Sequence, residues 1–337
     1  MCYYYYGDDM KDKKKKKNNK EYISETKEFT KIDLEEKDNI ETIDEVIKKE
    51  KKKQFKKKLK VIKILILIAI FITCGLLYAR YISTWGLVIK EYSISSTDLN
   101  KDYHGLKIVH VTDIHYGSTT FKKELENVVN ETNKQNPDLV VFTGDLIEPG
   151  VKLTNTDVET IIDCFNKFDA NIGYYAVKGN HDYESNYFDT IMEKTKFKVL
   201  YNESELIYND STTPIRVIGF DDLLKGKPTY DEAFTLPEGM EQAPYTIVLM
   251  HEPDQIDEFK DKHKDFNVAF AGHSHLGQVR LPFVGAIWTP VGSKKYYDEH
   301  YLVDNKDLYI SGGIGTTTLK LRFYNKPSIT LYRFYAK

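Results

Sequence analysis

Five blocks in the back two-thirds of this 337-residue chain carry side chains of the kind that hold metal ions: Asp113 with His115, Asp145, Asn180 with His181 and Asp182, His251, and His273 with His275. They offer carboxylate, carboxamide and imidazole but no thiolate, a donor set that suits manganese, iron or zinc in hydrolysis. A lone histidine on a strand is usually a packed residue and an aspartate after glycine usually a turn, so each block alone says little. Five together are much less easily coincidence.

Positioning these residues requires particular elements. Lys107 to Val111 leads into Asp113, Leu139 to Phe142 into Asp145, Tyr174 to Val177 into Asn180, Thr246 to Met250 into His251, and Val268 to Ala271 into His273. Each apolar run reads as a buried strand delivering a polar residue at its carboxyl end, the edge of an α/β sheet where sites form. Between them, Phe121, Leu125, Val128 and Val129 fall at helical spacing, as do Val158, Ile161, Ile162, Phe165 and Phe168. Strand and helix therefore alternate. Asp113 and His115, like His273 and His275, lie two apart, which places each pair on one face if the backbone is extended there. Glycine precedes Asp145, Asn180 and His273, where a missing Cβ permits a sharp turn or a close approach.

The order Asp-x-His, Gly-Asp, Gly-Asn-His-Asp, His, Gly-His-x-His resembles the calcineurin-type metallophosphoesterase superfamily. The segments LKIVHVTDIH, VLMHEPD, GHSHLGQVRLPFVG and SGGIGTTTLKLRFYNKPSITL narrow it to the membrane-anchored branch of bacterial phosphodiesterases and UDP-2,3-diacylglucosamine pyrophosphohydrolase-like proteins. That resemblance, from roughly Ile94 onward, implies an α/β fold: a four-layer α/β/β/α sandwich, with metals at the strand ends and Leu308 to Ile310 and Leu319 to Tyr335 in the second sheet. It implies two divalent cations, manganese first with zinc or iron as alternatives. Asp113, His115 and His275 would hold one, Asn180, His251 and His273 the other, and Asp145 would bridge both. Two cations neutralise the phosphate ester, and the water between them becomes a hydroxide nucleophile near neutral pH. His181 would stabilise developing charge or protonate the leaving oxygen, with Asp182 orienting its ring; Asp182 could equally cap a helix beginning near Ser185. The last block in this branch usually continues Thr-His-Gly-Gly-Gln, against Ser274-His275-Leu276-Gly277-Gln278 here, a departure that bears on substrate fit rather than on metal binding.

Of the remaining histidines, His104, His110, His263 and His300 are assigned no chemistry, and His110 is expected to be structural. Arg322 has the planar fork that matches phosphate oxygens, although an ordinary strand arginine explains it as well. Tyr296 and Tyr297 could line a hydrophobic channel, a weak inference with 25 tyrosines in the chain.

The front third concerns location. Ile64 to Ala79 is uncharged, and with Val61 and Ile62 it reaches the roughly 20 residues that cross a bilayer. Seven of the ten residues 51–60 are lysine, which by the positive-inside bias stay cytoplasmic and send the residues after about Arg80 across the membrane. The long lysine-rich region before the apolar run favours a retained anchor over a cleaved signal. Residues 1–60 carry 19 lysines and 14 acidic residues and are expected to lack a fold of their own or to be partly helical. The remaining 29 basic and 37 acidic residues leave a net charge of −8, which argues against nucleic acid as a partner. Three cysteines make no disulfide framework.

The expected organisation is a tail over 1–60, a membrane helix over 61–79, a linker over 80–92 and a catalytic domain over 93–337, outside the cell membrane. The expected activity is hydrolysis of a phosphodiester or pyrophosphate, in a lipid-linked or envelope substrate. A UDP-2,3-diacylglucosamine-type pyrophosphohydrolase is the alternative enzyme, and an inactive scaffold binding a protein partner the alternative of another class.

Overall fold

The computed structural model describes residues 43–209 and 211–337. Helix α1, Ile43–Leu77, starts well before the apolar stretch, so residues 43–60 of the expected tail are helical, while the expectation for 1–42 lies outside the described residues. From Phe55 onward its apolar side chains face outward all round, with Leu67 65% and Phe71 79% exposed. Among the described residues, Lys48–Ile82 is the one helical stretch long and apolar enough to cross a membrane. A π-helical turn, Tyr78–Ile82, ends it.

Two six-stranded sheets form the body. The first runs β1 (Val88–Ser96), β14 (Ser328–Ala336), β2 (Lys107–Val111), β3 (Leu139–Phe142), β4 (Gly173–Ala176), β5 (Lys198–Val199). The second runs β12 (His300–Val303), β13 (Lys306–Ile310), β9 (Val268–Ala271), β8 (Thr246–Leu249), β7 (Ile215–Gly219), β6 (Glu203–Ile207). β2 to β5 are parallel, as are β7, β8, β9 and β13. The apolar runs foreseen at β2, β3 and β9 keep their bounds, and those at β4 and β8 shift by at most one residue.

Each run is buried on both faces because its alternate residues serve different cores. Val109, Val140 and Phe142 meet Leu125, Val128 and Val129 of α2 (Lys122–Asn133) and Ile161 and Phe165 of α3 (Asn155–Asn166). Ile108, Leu139 and Val141 point the other way and meet Val217, Ile247, Leu249 and Phe270 of the second sheet. On the far side, Ile218, Val248 and Ala269 meet Ala233 and Phe234 of a short helix, Asp231–Phe234, and Ile256 and Phe259 of another, Ile256–Phe259. The result is the α/β/β/α sandwich.

Two expectations are corrected. β1 begins at Val88, inside the span expected to be a linker, because its pairing partner is the distant β14, in register from Val88 with Ser328 to Ser96 with Ala336. β14 itself lies in the first sheet, between β1 and antiparallel β2, and residues 319–327 form no strand.

His110 sits in the inter-sheet core, its Nε2 2.7 Å from Thr143 Oγ1 and its ring stacked near Phe270 and Tyr332. Burial pushes it down to about 3 from an ordinary 6.5. The fold keeps the ring neutral while the unfolded chain takes up a proton below 6.5, so stability falls as pH drops from there toward 3, by about 1.4 kcal/mol per pH unit. Between about pH 7 and about pH 5, urea denaturation should show the parent losing about 2 kcal/mol more than His110→Leu. Equal losses would place the acid sensitivity elsewhere.

Candidate metal centre

The carboxyl ends of β2, β3 and β4 from one sheet and of β8 and β9 from the other meet at a single edge, where all five blocks come together. The backbone does not stay extended there. Asp113 (φ 51°), His115 (44°), Asp145 (59°), His273 (60°) and His275 (46°) are left-handed, so the i, i+2 pairs converge through kinks instead of along a pleat. Each such residue costs about 1 kcal/mol, which the surrounding hydrogen bonds must offset. Asp113 N donates to Gly144 O (2.9 Å), His115 N to Asp145 O (3.0 Å) and His273 N to Asp113 Oδ2 (3.0 Å). Gly144 (φ 94°) is required by space as well as by conformation: a Cβ there would stand 2.5 Å from Gly179 N.

Asp113, His115 and His275 form one cluster of donor atoms, and Asp145, His251 and His273 a second. Asp145 faces both, with Oδ2 3.2 Å from His251 Nε2 and 3.5 Å from His115 Nε2. His275 Nε2 lies 3.1 Å from His115 Nε2 and 3.6 Å from Asp113 Oδ1. All six are buried. Burial raises the Asp113 carboxyl; it acts the same way on Asp145, but the charge and hydrogen bond of His251 hold that carboxyl well below the usual range.

The tautomers indicate what the second cluster fits. His251 Nδ1 donates to Thr143 O (2.5 Å), and His273 Nε2 donates to Val291 O (2.7 Å), since a carbonyl can only accept. With each ring neutral, as a metal ligand must be, the remaining nitrogens, His251 Nε2 and His273 Nδ1, would both turn lone pairs to the space beside the Asp145 carboxylate, where they stand 3.2 Å apart. Those three acceptors suit a cation, which would take the place of the proton that otherwise joins His251 to Asp145. Asn180, 7% exposed, adds a buried Oδ1 that has no hydrogen-bond partner. In the first cluster, the carboxylate of Glu148 lies 2.9 Å from His115 Nδ1 and favours the proton there, freeing Nε2. His275 differs, because its Nδ1 faces Arg322 Nη2 at 3.3 Å.

Four residues, Asp182, Arg322, Tyr296 and Tyr297, stand apart from expectation. Asp182 neither orients the His181 ring nor caps a helix at Ser185. It lies within a short helix, Asn180–Glu184, and its carboxylate accepts from the amides of Asp145 (2.8 Å), Leu146 (2.8 Å) and Gly179 (3.0 Å), tying the β3 and β4 loops together. Burial, then the Asp145 charge, pushes it up to about 7. His181 is at the rim, 20% exposed, with Nε2 3.9 Å from Asp145 Oδ2 and Nδ1 3.6 Å from Glu184 Oε2. Arg322 is fully buried in a loop, its Nε and Nη2 donating to Gly312 O, Gly313 O and Gly315 O, so it presents no exposed group to a phosphate. Tyr296 and Tyr297 are engaged within the protein instead of lining a channel: Tyr296 N and OH donate to the carboxylates of Asp254 and Asp257, and Tyr297 N donates to Tyr301 OH.

A family model described as calcineurin-like phosphoesterase matches residues 106–277, which hold all seven candidate ligands. The chain belongs to the calcineurin-like metallophosphoesterase family. Metallophosphoesterase YkuE of Bacillus subtilis is 31% identical over 262 residues, covering 76% of this chain and 88% of that one. YkoQ of the same species is 27% identical over 278 residues, 80% and 98% of the two chains. UDP-2,3-diacylglucosamine pyrophosphatase LpxG of Chlamydia muridarum is 25% identical over 289 residues, 68% and 84%. As a metallophosphoesterase the chain is a hydrolase of phosphoester bonds with a dimetal-type ligand set.

Glu148 escaped the sequence reading because it lies outside every block of this metallophosphoesterase; its one signal was its place three residues after Asp145, close enough to share the β3 loop. Glu148→Gln is expected to weaken metal binding about 10- to 100-fold. Metal content after dialysis against graded chelator would register this, and an unchanged midpoint would reduce Glu148 to a surface acid.

Proposed function

We propose that this metallophosphoesterase is a membrane-anchored, dinuclear enzyme hydrolysing a phosphodiester or pyrophosphate bond in a lipid-linked or cell-envelope substrate. The observation that carries the reading is Asp145, whose one carboxylate faces both ligand clusters. Asp113, His115 and His275 would hold one cation, Asn180, His251 and His273 the other, with Asp145 shared. Manganese is the first choice, with zinc or iron fitting the same donors. A bound pair of cations would supply Lewis acidity toward phosphoryl oxygens and lower the pKa of water.

The chain's own groups complete the site. His181, at the rim with Nε2 3.9 Å from Asp145 Oδ2, would stabilise charge on the phosphoryl group or protonate the leaving oxygen. Asp182 and Arg322 act as positioning residues through backbone groups. The lysines before the apolar helix would remain cytoplasmic and the catalytic domain lie outside. Resemblance to LpxG supports a second reading, a UDP-2,3-diacylglucosamine-type pyrophosphohydrolase, which would favour the opposite orientation to reach a nucleotide-linked lipid. Protease access on intact cells separates the two orientations.

The test is hydrolysis of bis(p-nitrophenyl) phosphate and p-nitrophenyl phosphate by the full chain in detergent, after chelation and again with manganese, zinc or iron restored. Turnover of the diester should disappear and return with metal. Preference for the monoester would overturn the diester assignment, and silence with every metal would favour a scaffold.

A further inference from the structure

Between the last ligand, His275, and Val291, whose carbonyl accepts from His273, the chain makes a hairpin of two short strands, β10 (Arg280–Leu281) and β11 (Gly285–Ala286). Its outer side is apolar and uncovered: Leu281, Phe283, Val284, Ile287, Trp288 and Val291 are all exposed, Phe283 completely. Contiguous exposed apolar surface of this kind marks a contact site. Both ends of the hairpin are built into the metal centre, so whatever covers it lies beside the reacting atoms.

The occupant is indicated by what the hairpin adjoins. Arg280 N donates to Phe323 O, and Phe323 N to Gln278 O. The Phe323 ring packs edge-on against Tyr78 at 5.9 Å, while Arg322 N donates to Ala79 O. The hairpin is thus joined through one loop to the last turn of the apolar segment, the point where that segment would leave a bilayer. Tyr81, Ile82 and Trp85, just beyond, are exposed as well, in the manner of side chains at a membrane interface. Lys294, 5.3 Å from the Trp288 ring, sets a cation at the edge of the apolar surface, suited to anionic headgroups.

We propose that this hairpin is a second membrane contact, inserting into the bilayer that the apolar segment crosses and holding the metal centre at headgroup depth, so that the substrate is the phosphoester of a bilayer-embedded lipid. The inference rests on the membrane-anchored reading above. A lipid phosphate lies at that depth, and a soluble ester would gain nothing from the arrangement.

The chain has two tryptophans, Trp85 beside the apolar segment and Trp288 on the hairpin, and each can be read alone. The full chain is reconstituted into phosphatidylcholine and phosphatidylglycerol vesicles with brominated acyl chains, as Trp85→Phe and as Trp288→Phe. Quenching and a blue shift of both tryptophans support the inference. Trp85 quenched with Trp288 untouched overturns it and leaves the anchor standing, the outcome expected if a protein partner covers the hairpin. Neither quenched overturns the anchored reading and this one together. As an independent readout, Phe283→Asp with Ile287→Asp should slow hydrolysis of hexadecyl p-nitrophenyl phosphate in phosphatidylcholine vesicles severalfold and leave soluble bis(p-nitrophenyl) phosphate unaffected. Equal turnover of the vesicle substrate by parent and variant counts against it.

Discussion

Replacing Asp145 with alanine is expected to lower metal-restored hydrolysis about a thousandfold or more, on the scale seen when one preorganised charge-stabilising group is removed from an active site. Its carboxylate faces both clusters, and its Oδ1 also accepts from His181 N at 2.9 Å, so the loss touches each ligand set and the rim histidine together. Asp145→Asn is the sharper variant. Asparagine tolerates the left-handed backbone at φ 59° and keeps the shape of the side chain, removing little beyond the charge. Both variants should remain folded by circular dichroism while metal content and diester turnover fall. A variant retaining a tenth of parent turnover would show that the shared carboxylate does not hold the centre together.

Arg322→Met is expected to destabilise the fold by about 3–5 kcal/mol, as measured by urea denaturation, because one member of a buried polar network is removed and its partners stay behind. The guanidinium donates from Nε to Gly315 O (3.1 Å) and from Nη2 to Gly312 O (2.8 Å) and Gly313 O (3.1 Å). Methionine fills the volume but leaves those carbonyls unpaired. The same loop reaches Asp113, whose carbonyl accepts from Gly315 N (2.8 Å), so metal retention should weaken as stability falls. Arg322→Lys should rescue little, since an ammonium cannot reproduce a fork that serves three acceptors. A phosphate-binding arginine would behave oppositely, with a raised KM and unchanged denaturation.

The contrast between these residues shows what kind of information each level holds. Asp113, His115, Asp145, Asn180, His251, His273 and His275 were legible because each follows an apolar run of strand length, and buried parallel strands betray themselves by composition alone. The helices over Leu125 to Val129 and Ile161 to Phe165 were legible by their period. β14 was not, since residues 328–336 read equally well as a strand of either sheet; only pairing with Val88–Ser96 on one side and Lys107–His110 on the other decides it. Asp182 was misread because a short Asp beside a catalytic-looking histidine suggests a partner for that ring, whereas its carboxylate accepts from the nearby Gly179 amide and from two amides 36 and 37 residues away.

By itself, then, the amino-acid order determined the candidate ligand types, their sequence of appearance, the strand ends that carry them and the apolar helix ahead of them, because these depend on side-chain chemistry and on periodicity within a few residues. Tertiary structure alone decided how they converge: the left-handed backbone at five candidate ligands, His251 Nε2 and His273 Nδ1 brought together beside Asp145, the carboxylate of Glu148 behind His115, the carbonyls that engage Arg322 and the apolar hairpin set beside the end of the helix. Each of these is a relation between segments distant in the chain, fixed by which backbone groups are left to satisfy one another once the two sheets have closed on their common core.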